Sequence, residues 1–374
     1  MTKAAELAKM GEVITNSQIG GRRNIVINGA MNVAQRATSA TGVGGTNEEY
    51  PTIDRFNFTT TSAGRFTMTQ TADGPTGFAN CMKLDCTTVD TSISASEALI
   101  LQTKFEGQDV QQLMYGSSSA QPITVSFYVK GNASATYTLE WRNEEDGRNT
   151  GKTFNVTTDW TRVSITFTGD TAGAAVDDDN THAFTLGIWL HGGTTFSGGT
   201  FAENTWHGTN NLRIGDSQTS FFDSTDRTFF ITGVQMELGS VATPFEHRSF
   251  DEEMRMCQRY YYRTPFYKDS GQAANETFPC VGNMDGTATG AYLLCFPNVM
   301  RAAPTAFEQS GTPSHYSIRV TSDSNGTTGP SAGGLTSEKA LINLISSGAG
   351  QTSGNGAFLR MENTSAFLGF DAEL

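Results

Sequence analysis

The sequence predicts an all-β protein made of two antiparallel β-sandwich domains. Short segments that mix β-branched or aromatic residues with small polar ones recur along the 374 residues, and turns rich in Gly, Ser and Asn separate them. Helical segments do not alternate with these strands, which argues against a parallel α/β fold. Glycine contributes 40 residues and charged residues only 17%, a composition typical of sandwiches whose strands bury one face each.

The first domain is predicted over residues 23–248. Its candidate strands are residues 25–27, 55–60, 64–70, 81–85, 123–130, 136–142, 161–168, 183–190, 211–215 and 227–238. Residues 95–106 and 108–115 are predicted to be helical interruptions, the second no longer than a turn. Short strands in this number favour a two-sheet sandwich over a barrel enzyme.

A short helix is predicted at the N-terminus, over residues 2–15. Ala4, Leu7, Ala8 and Gly11 recur at spacings of three and four, and the Thr2 hydroxyl can cap the helix. A helix this short is not stable alone. Residues 1–22 are therefore interpreted as an attachment segment that docks on another surface, with a locally docked terminus as the alternative.

The clearest helix covers residues 249–262, within a connector predicted at 249–263. Ser249 and Glu252 form a capping box, and acidic residues fill the first turn, where the helix dipole favours them. The apolar residues of this helix form one stripe: Phe250, Met254, Cys257 and Tyr261. Such a stripe is typical either of packing within the domain or of a seam between identical subunits.

The second domain is predicted over residues 264–374. Its candidate strands are residues 276–283, 287–296, 305–309, 316–321, 335–344, 356–361 and 365–374. Gly- and Ser-rich turns separate them at 322–334 and 346–356. The domain is small for a self-sufficient core, so a trimer that shares apolar faces would relieve the shortage, although a monomeric sandwich of this size can also fold.

Charge and cysteine usage exclude several classes of protein. A net charge of −13 and a pI near 4.8 argue against binding to nucleic acid, which requires clustered Lys and Arg. Neither a secretory signal nor an apolar run long enough to span a membrane is recognisable, so membrane insertion is not expected. The five cysteines are odd in number and lack a CxxC pair, which predicts neither a zinc site nor a disulfide framework and fits assembly in a reducing cytoplasm.

The sequence shows no catalytic constellation of a hydrolase or of a nucleotide-binding enzyme. It has no HExxH motif, no GxSxG nucleophile elbow between a predicted strand and helix, and no phosphate-binding Gly-rich loop, so the protein is expected not to be an enzyme. A pair of carboxylates brought together from distant positions remains an alternative, since such a pair hydrolyses glycosidic bonds. Asp177, Asp178 and Asp179 are the candidates for a structural calcium site, with a solvated acidic loop as the other interpretation.

Five stretches of sequence carry a family resemblance. RNIVINGAMNVAQR (23–36), YPTIDRF (50–56), residues 231–263, FPNVMRAAPTAF (296–307) and FLGFDAEL (367–374) resemble bacteriophage tail-fibre and other virion appendage proteins of the marine-phage type. The resemblance implies a jelly-roll domain like those of carbohydrate-binding modules, which often hold calcium, followed by a smaller C-terminal β-sandwich. It also implies a homotrimer in the virion, assembled in the host cytoplasm, whose N-terminal segment binds phage tail proteins.

Residues suited to glycan recognition lie in a Gly-rich loop. They are Trp206, His207, Phe201, His191 and Asn204. Aromatic faces stack on sugar rings, while imidazole and amide groups bond to hydroxyls. The alternative for Trp206 is that it only holds its loop in place. Trp141, Trp160 and Trp189 alternate with strand residues and are expected in the core.

The expected function is that of a tail fibre that attaches to a glycan or an outer-membrane receptor on the host. Many weak contacts would add through avidity rather than through one deep pocket. A capsid or tail decoration protein that binds no receptor is the first alternative. A glycan depolymerase is the second, disfavoured because the repeats of a β-helix are absent.

Overall fold

The computed structural model describes Lys3 and residues 23–215, 217–264, 277–320, 323–346 and 351–374. Its contacts divide the chain into two compact units, with the boundary between Glu253 and Met254. The helix predicted over residues 2–15 lies, apart from Lys3, outside the described residues.

The described residues of the first unit form twelve strands and a short helix, besides 3₁₀ turns. They are β1 (Ser39–Val43), β2 (Thr46–Glu49), β3 (Asn57–Thr61), β4 (Arg65–Thr71), β5 (Cys81–Thr88), β6 (Ala98–Glu106), β7 (Ile123–Gly131), β8 (Ala135–Asn143), β9 (Asn149–Val156), β10 (Thr161–Phe167), β11 (His182–Gly192), α1 (Thr194–Ser197) and β12 (Thr228–Leu238). Sheet A has the order β1-β4-β5-β12-β7-β10, and sheet B has the order β2-β3-β6-β11-β8-β9.

The two sheets form the antiparallel jelly-roll sandwich that the sequence predicts. Every strand pair in both sheets is antiparallel. The inner faces meet in one core, where Trp141 stacks on Phe184 at 4.5 Å between ring centroids and Phe58 and Phe127 are fully buried. Burial of such apolar surface stabilises the sandwich, at about 25 cal/mol per Å².

Three predicted elements of this unit are wrong: the helix at residues 95–106, the strand at 211–215 and the strand at 25–27. Residues 95–106 were expected to be helical, but Ala98–Glu106 is β6, an interior strand of sheet B with all nine residues buried. Its apolar run lacks the alternation that would identify it, because both faces are covered. Residues 211–215 were expected to form a strand, but a 3₁₀ turn, Asn210–Leu212, lies there.

The turn predicted at 108–115 is present as two 3₁₀ turns, Gly107–Asp109 and Gln111–Leu113. Residues 25–27 are irregular rather than a strand, although the Ile25 N–H donates to the carbonyl oxygen of Met236 at 3.0 Å. The prediction missed β9, because its sequence NTGKTFNV is mostly polar.

The segment NGAMNV folds around the side chain of Asn28. Its amide donates to the carbonyl oxygens of Val33 and Asp54 at 2.8 and 2.9 Å and accepts the Val33 N–H at 2.9 Å. The backbone of Asn28 is left-handed, with φ of 60°, which Asn tolerates better than most residues. At Gly29 a Cβ atom would lie 2.0 Å from the carbonyl oxygen of Val234. The fold therefore accounts for Asn28 and Gly29 at these positions without a ligand.

A connector helix that crosses the unit boundary, and ten strands, are found in the described part of the chain from residue 250 onward. They are α2 (Phe250–Gln258), which contains the unit boundary, β13 (Tyr261–Arg263), β14 (Thr277–Met284), β15 (Thr289–Cys295), β16 (Ala306–Gln309), β17 (Tyr316–Arg319), β18 (Asp323–Asn325), β19 (Ser331–Leu335), β20 (Lys339–Ile345), β21 (Gly356–Met361) and β22 (Leu368–Asp371). Sheet C has the order β13-β22-β16, and sheet D has the order β18-β17-β21-β14-β15-β20-β19.

The connector helix begins as its sequence predicts. Ser249 Oγ accepts the backbone N–H of Glu252 at 3.2 Å. The helix ends at Gln258, four residues before its predicted end. In its last turn, the carbonyl oxygen of Arg255 accepts a hydrogen bond from the side chain of Asn298 at 3.3 Å. Within the described part of the chain, no helix has the length and apolarity that crossing a membrane requires.

Candidate functional site

The segment 193–227, described apart from Asp216, lies across the outer face of sheet B. The Thr219 N–H donates to the carbonyl oxygen of Thr136 at 2.8 Å, and the Thr138 hydroxyl donates to Gln218 Oε1 at 3.0 Å. Both threonines belong to β8. The loop that the sequence predicts as a glycan site therefore covers a sheet instead of projecting from it.

A buried ion pair fastens this loop. Arg213 donates to both carboxylate oxygens of Glu140 at 2.7 Å, and the Trp189 indole N–H donates to the same carboxylate at 3.0 Å. The Arg213 guanidinium lies over the Trp189 ring, 4.8 Å from its centroid. The ring of Phe196 also packs against Trp189, with 4.9 Å between the ring centroids. Trp189 is buried as expected, but between loop and sheet rather than in the main core.

Trp206 packs toward the main core. Its indole N–H donates to the carbonyl oxygen of Thr168 at 2.7 Å, and its ring meets Tyr115 edge to face at 5.6 Å. The neighbouring His207 exchanges two backbone hydrogen bonds with Asn149 of β9, at 2.8 and 2.9 Å. These contacts are those of a side chain that holds its loop, and a glycan contact at Trp206 stays a prediction.

Phe201 and Asn204 lie beside β9, near His207. A Cβ at Gly151 would be 3.3 Å from the Phe201 ring, and the Asn204 N–H donates to the Gly151 carbonyl at 2.9 Å. Burial lowers the pKa of His207 below its ordinary value. The structure therefore brings Phe201, Asn204 and His207 together at one edge of sheet B.

His191 does not belong to this surface. Its side chain is fully buried at the end of β11, and its Nδ1 atom lies 2.8 Å from Ser220 Oγ. A buried imidazole offers no surface to a glycan, so this part of the prediction is corrected. The alternation of the sequence at β11 gave no sign that His191 is enclosed.

The calcium candidates form an exposed turn. Asp179 Oδ1 accepts the backbone N–H and the hydroxyl of Thr181, and these bonds lower the pKa of Asp179. Asp177, Asp178 and Asp179 do not form a convergent group of three ligands in the described part of the chain. The geometry thus gives the calcium prediction no support.

The four residues predicted to form a seam between subunits differ in burial. Cys257 and Tyr261 are fully buried within a single chain, so neither can lie on a seam between subunits. Phe250 is 59% exposed and Met254 is half-buried. The seam prediction is therefore corrected for the first two residues and stays a prediction for the other two.

Sequence reasoning missed an aromatic row on the outer face of sheet A. Phe230 of β12 pairs with Lys83 of β5 on one side and with Lys130 of β7 on the other. Trp160 precedes β10, and its ring lies 6.3 Å from that of Phe230. Trp160, expected in the core, is half-buried on this face. We call the two rings, Trp160 and Phe230, together with the two lysines beside them, Lys83 and Lys130, the aromatic row.

Two ion pairs flank the aromatic row. Lys130 Nζ lies 4.7 Å from the ring centroid of Phe230 and 5.2 Å from that of Trp160, and it pairs with Asp73 at 2.7 Å. Lys83 Nζ pairs with Asp85 at 2.8 Å. The face thus combines half-buried rings with hydrogen-bond donors and acceptors on neighbouring strands.

The second unit carries an apolar row on sheet D. Val281 pairs with Leu293 and with Phe358, and Leu293 pairs with Leu341, so four neighbouring strands contribute one side chain each. Val281 is 58% exposed, Leu293 49%, Phe358 45% and Leu341 41%. Contiguous exposed apolar side chains of this kind mark interaction surfaces. We call these four residues the apolar row.

Comparison with known proteins gives distant structural likenesses only. No family model matches the sequence, and no curated protein matches it. A CBM4 structure is 12% identical with a TM-score of 0.30, over 56% of this chain and 97% of that one. The enzymatically active domain of bacteriophage CBA120 tailspike protein 4 is 11% identical with a TM-score of 0.30, over 57% and 21%.

A third structure, the family 11 carbohydrate-binding module of a cellulosomal cellulase of Clostridium thermocellum, is 10% identical with a TM-score of 0.27. The match covers 55% of this chain and 99% of that one. Scores and identities this low assign neither a ligand nor an activity to the chain.

Proposed function

We propose that the chain is a structural component of a phage virion, a tail fibre that attaches to the host surface by binding glycans. The aromatic row is the observation that carries the glycan-binding part. The five sequence stretches that resemble virion appendage proteins support the location.

The aromatic row suits a shallow glycan site. Phe229 and Ile231, the neighbours of Phe230, are buried in the core, so the strand fixes the position of its ring. The ammonium groups of Lys83 and Lys130 and the carboxylates of Asp73 and Asp85 can bond to sugar hydroxyls around the rings. A surface of this kind binds weakly as a single copy, and a fibre gains affinity by presenting several copies together.

The several copies would come from a homotrimer. The apolar row lies on a unit that is small for an independent core, and identical chains present identical rows to one another. Closed symmetry lets such rows bury each other without further growth of the assembly. The trimeric order itself comes from the resemblance to fibre proteins.

The proposed role is binding without catalysis. Asp73 and Asp85 each pair with a lysine at 2.7 and 2.8 Å. Glycoside hydrolysis needs two carboxyl groups that face each other across the sugar, about 5 to 9.5 Å apart, whereas each of these carboxylates faces a lysine.

An array of bacterial surface polysaccharides, probed with the full chain, tests glycan binding. Trp160→Ala and Phe230→Ala are expected to weaken binding to a positive glycan about tenfold, or about 1.4 kcal/mol. Phe201→Ala, in the loop on sheet B, should leave it unchanged. Loss in Phe201→Ala but not in Trp160→Ala would move the site to the loop, and no binding to any glycan would remove the proposal.

Two further measurements separate the remaining alternatives. Release of reducing ends from the bound polysaccharide would identify a depolymerase. Gold-labelled antibody against the chain should decorate the tails of phage particles. Labelling spread over the capsid would identify a decoration protein instead.

A further inference from the structure

Three metal-ligating side chains converge at one end of the first unit. Asp90 follows β5, Glu97 precedes β6, and His191 is near the end of β11. One ligand atom from each lies within 4.8 Å of the others. His191 Nε2 is 3.5 Å from Glu97 Oε2, close to the separation of about 3.4 Å that two ligands have on a tetrahedral Zn²⁺ with bonds of about 2.1 Å.

His191 turns its Nε2 atom toward this cluster. The side chain is fully buried, and among the described residues this Nε2 makes no hydrogen bond; it faces Glu97 Oε2 at 3.5 Å. Its Nδ1 lies 2.8 Å from Ser220 Oγ, which also accepts the Phe222 N–H at 3.1 Å. A neutral imidazole that donates from Nδ1 leaves a lone pair on Nε2. Histidines that bind metals are oriented in this way by a second hydrogen bond.

The surroundings of the cluster favour a cation. The Asp90 carboxylate accepts hydrogen bonds from the Ser62 hydroxyl and the Ala63 N–H at 2.6 and 2.9 Å, and Glu97 Oε2 accepts the Ser94 N–H at 3.0 Å, so both carboxylates are held in place. A nitrogen lone pair that faces carboxylate oxygens is repelled by them unless a positive charge lies between.

The ligand set selects the class of ion. One imidazole nitrogen and two carboxylate oxygens suit Zn²⁺ and related transition-metal ions. Calcium takes six to eight oxygen ligands instead. Glu97 is 13% exposed, which leaves the cluster a path to solvent.

We propose that Asp90, Glu97 and His191 bind a Zn²⁺ ion, with a water molecule as the fourth ligand of the tetrahedron. The ion would join the segment between β5 and β6 to the end of β11. Through the bond between His191 and Ser220 it would also hold the 3₁₀ turn Phe221–Asp223, where the long loop returns to the sandwich. The role is independent of glycan binding and would stabilise the end of the sandwich.

Calorimetric titration of the untagged, EDTA-treated full chain with ZnCl₂ tests the site. One Zn²⁺ per chain should bind and raise the melting temperature, and CaCl₂ or MgCl₂ should do neither. His191→Gln and Glu97→Gln should each weaken Zn²⁺ binding at least tenfold. The matched control His247→Gln, which changes an exposed histidine outside the cluster, should bind as the wild type does.

Two results would overturn the proposal. The first is no Zn²⁺ binding by the folded wild type at 1 mM. The second is unchanged binding in Glu97→Gln, whose circular dichroism confirms the fold, because the ion would then be an adventitious surface ion only. Should His191→Gln fail to fold, the visible spectrum of the Co²⁺-loaded wild type decides, since bands of tetrahedral coordination support the site and octahedral bands contradict it.

Discussion

The indole N–H of Trp206 donates to the carbonyl oxygen of Thr168 at 2.7 Å, and the ring packs edge-on against Tyr115 at 5.6 Å. Thr168 directly follows β10 of sheet A, and the segment around Trp206 pairs with β9 of sheet B. One side chain thus ties together the edges of the two sheets. A residue with these contacts affects stability whether or not it also touches a ligand.

Trp206→Ala is expected to lower the free energy of unfolding of the first unit by about 2–3 kcal/mol, because a large, half-buried ring is removed from the core edge. Trp206→Phe keeps most of the packing and should cost only about 1 kcal/mol, for the lost hydrogen bond. Urea unfolding followed by the fluorescence of the other tryptophans measures both, since all of them lie in this unit. An alanine variant as stable as the wild type would contradict this role.

Arg213→Met should lower the free energy of unfolding of the first unit by more than a substitution at the protein surface does. Glu140 is 3% exposed and Arg213 11%, and removing one partner leaves a buried carboxylate unpaired, at about 3–5 kcal/mol. The double variant Glu140→Gln with Arg213→Met removes both charges and should recover part of that loss. Urea midpoints of the wild type, both single variants and the double variant give the coupling energy. Additive effects of the two single changes would show that the pair is not coupled.

The sequence predicted correctly those elements that are determined by residues close to one another along the chain. The Ser249 cap is one, and the strand at 356–361 is found at Gly356–Met361. The signals failed where tertiary burial decides. Both faces of Ala98–Glu106 are buried, so its sequence lacks the alternation of a strand and was predicted to be helical. Trp160 was predicted to lie in the core, because alternation along a strand does not indicate which face of the sheet is the outer one.

The residues of the two proposed sites could not be grouped from the sequence, for a related reason. Phe230 lies beside Lys83 only through the register of β12 with β5. His191 meets Asp90 across about a hundred residues of chain, and no spacing rule links such positions. Contacts between residues that are distant in sequence therefore form both proposed sites.

Stability is expected to fall as the pH falls from about 6.5 to about 4, in part because of His182. Burial, and then the nearby Lys104, lower the pKa of His182 from 6.5 to about 4. The unfolded chain binds a proton in this range that the folded chain does not, so unfolding is favoured on acidification. His182→Gln should remove about 1 kcal/mol of the dependence, a figure reduced for solvent screening of a half-buried group. Urea midpoints at pH 7.5 and 5 measure it, and parallel pH profiles for both proteins would contradict it.

Thiol labelling should distinguish one cysteine from the others. Cys295 is exposed, while Cys81, Cys86, Cys257 and Cys280 are buried. Burial raises the pKa of Cys81 and Cys86 to about 11 and that of Cys280 to about 12, and the thiolate is the reactive form. A disulfide reagent at pH 8 should label one thiol quickly in the folded chain and all of them in urea. Fast labelling that persists in Cys295→Ser would show that a buried site opens.

Self-association of the full chain should depend on the apolar row. Val281 and Val299 are both 58% exposed, but only Val281 lies in the row, directly beside Leu293. A lysine placed in a buried interface leaves an ammonium without water or a partner, which costs several kcal/mol. Val281→Lys should therefore convert an oligomer into monomers, whereas Val299→Lys, with the same change at the same exposure, should leave it intact. Sedimentation equilibrium of the wild type and both variants measures this. A wild type that is monomeric at 100 µM, or an equal response of the two variants, would exclude the row as the contact between subunits.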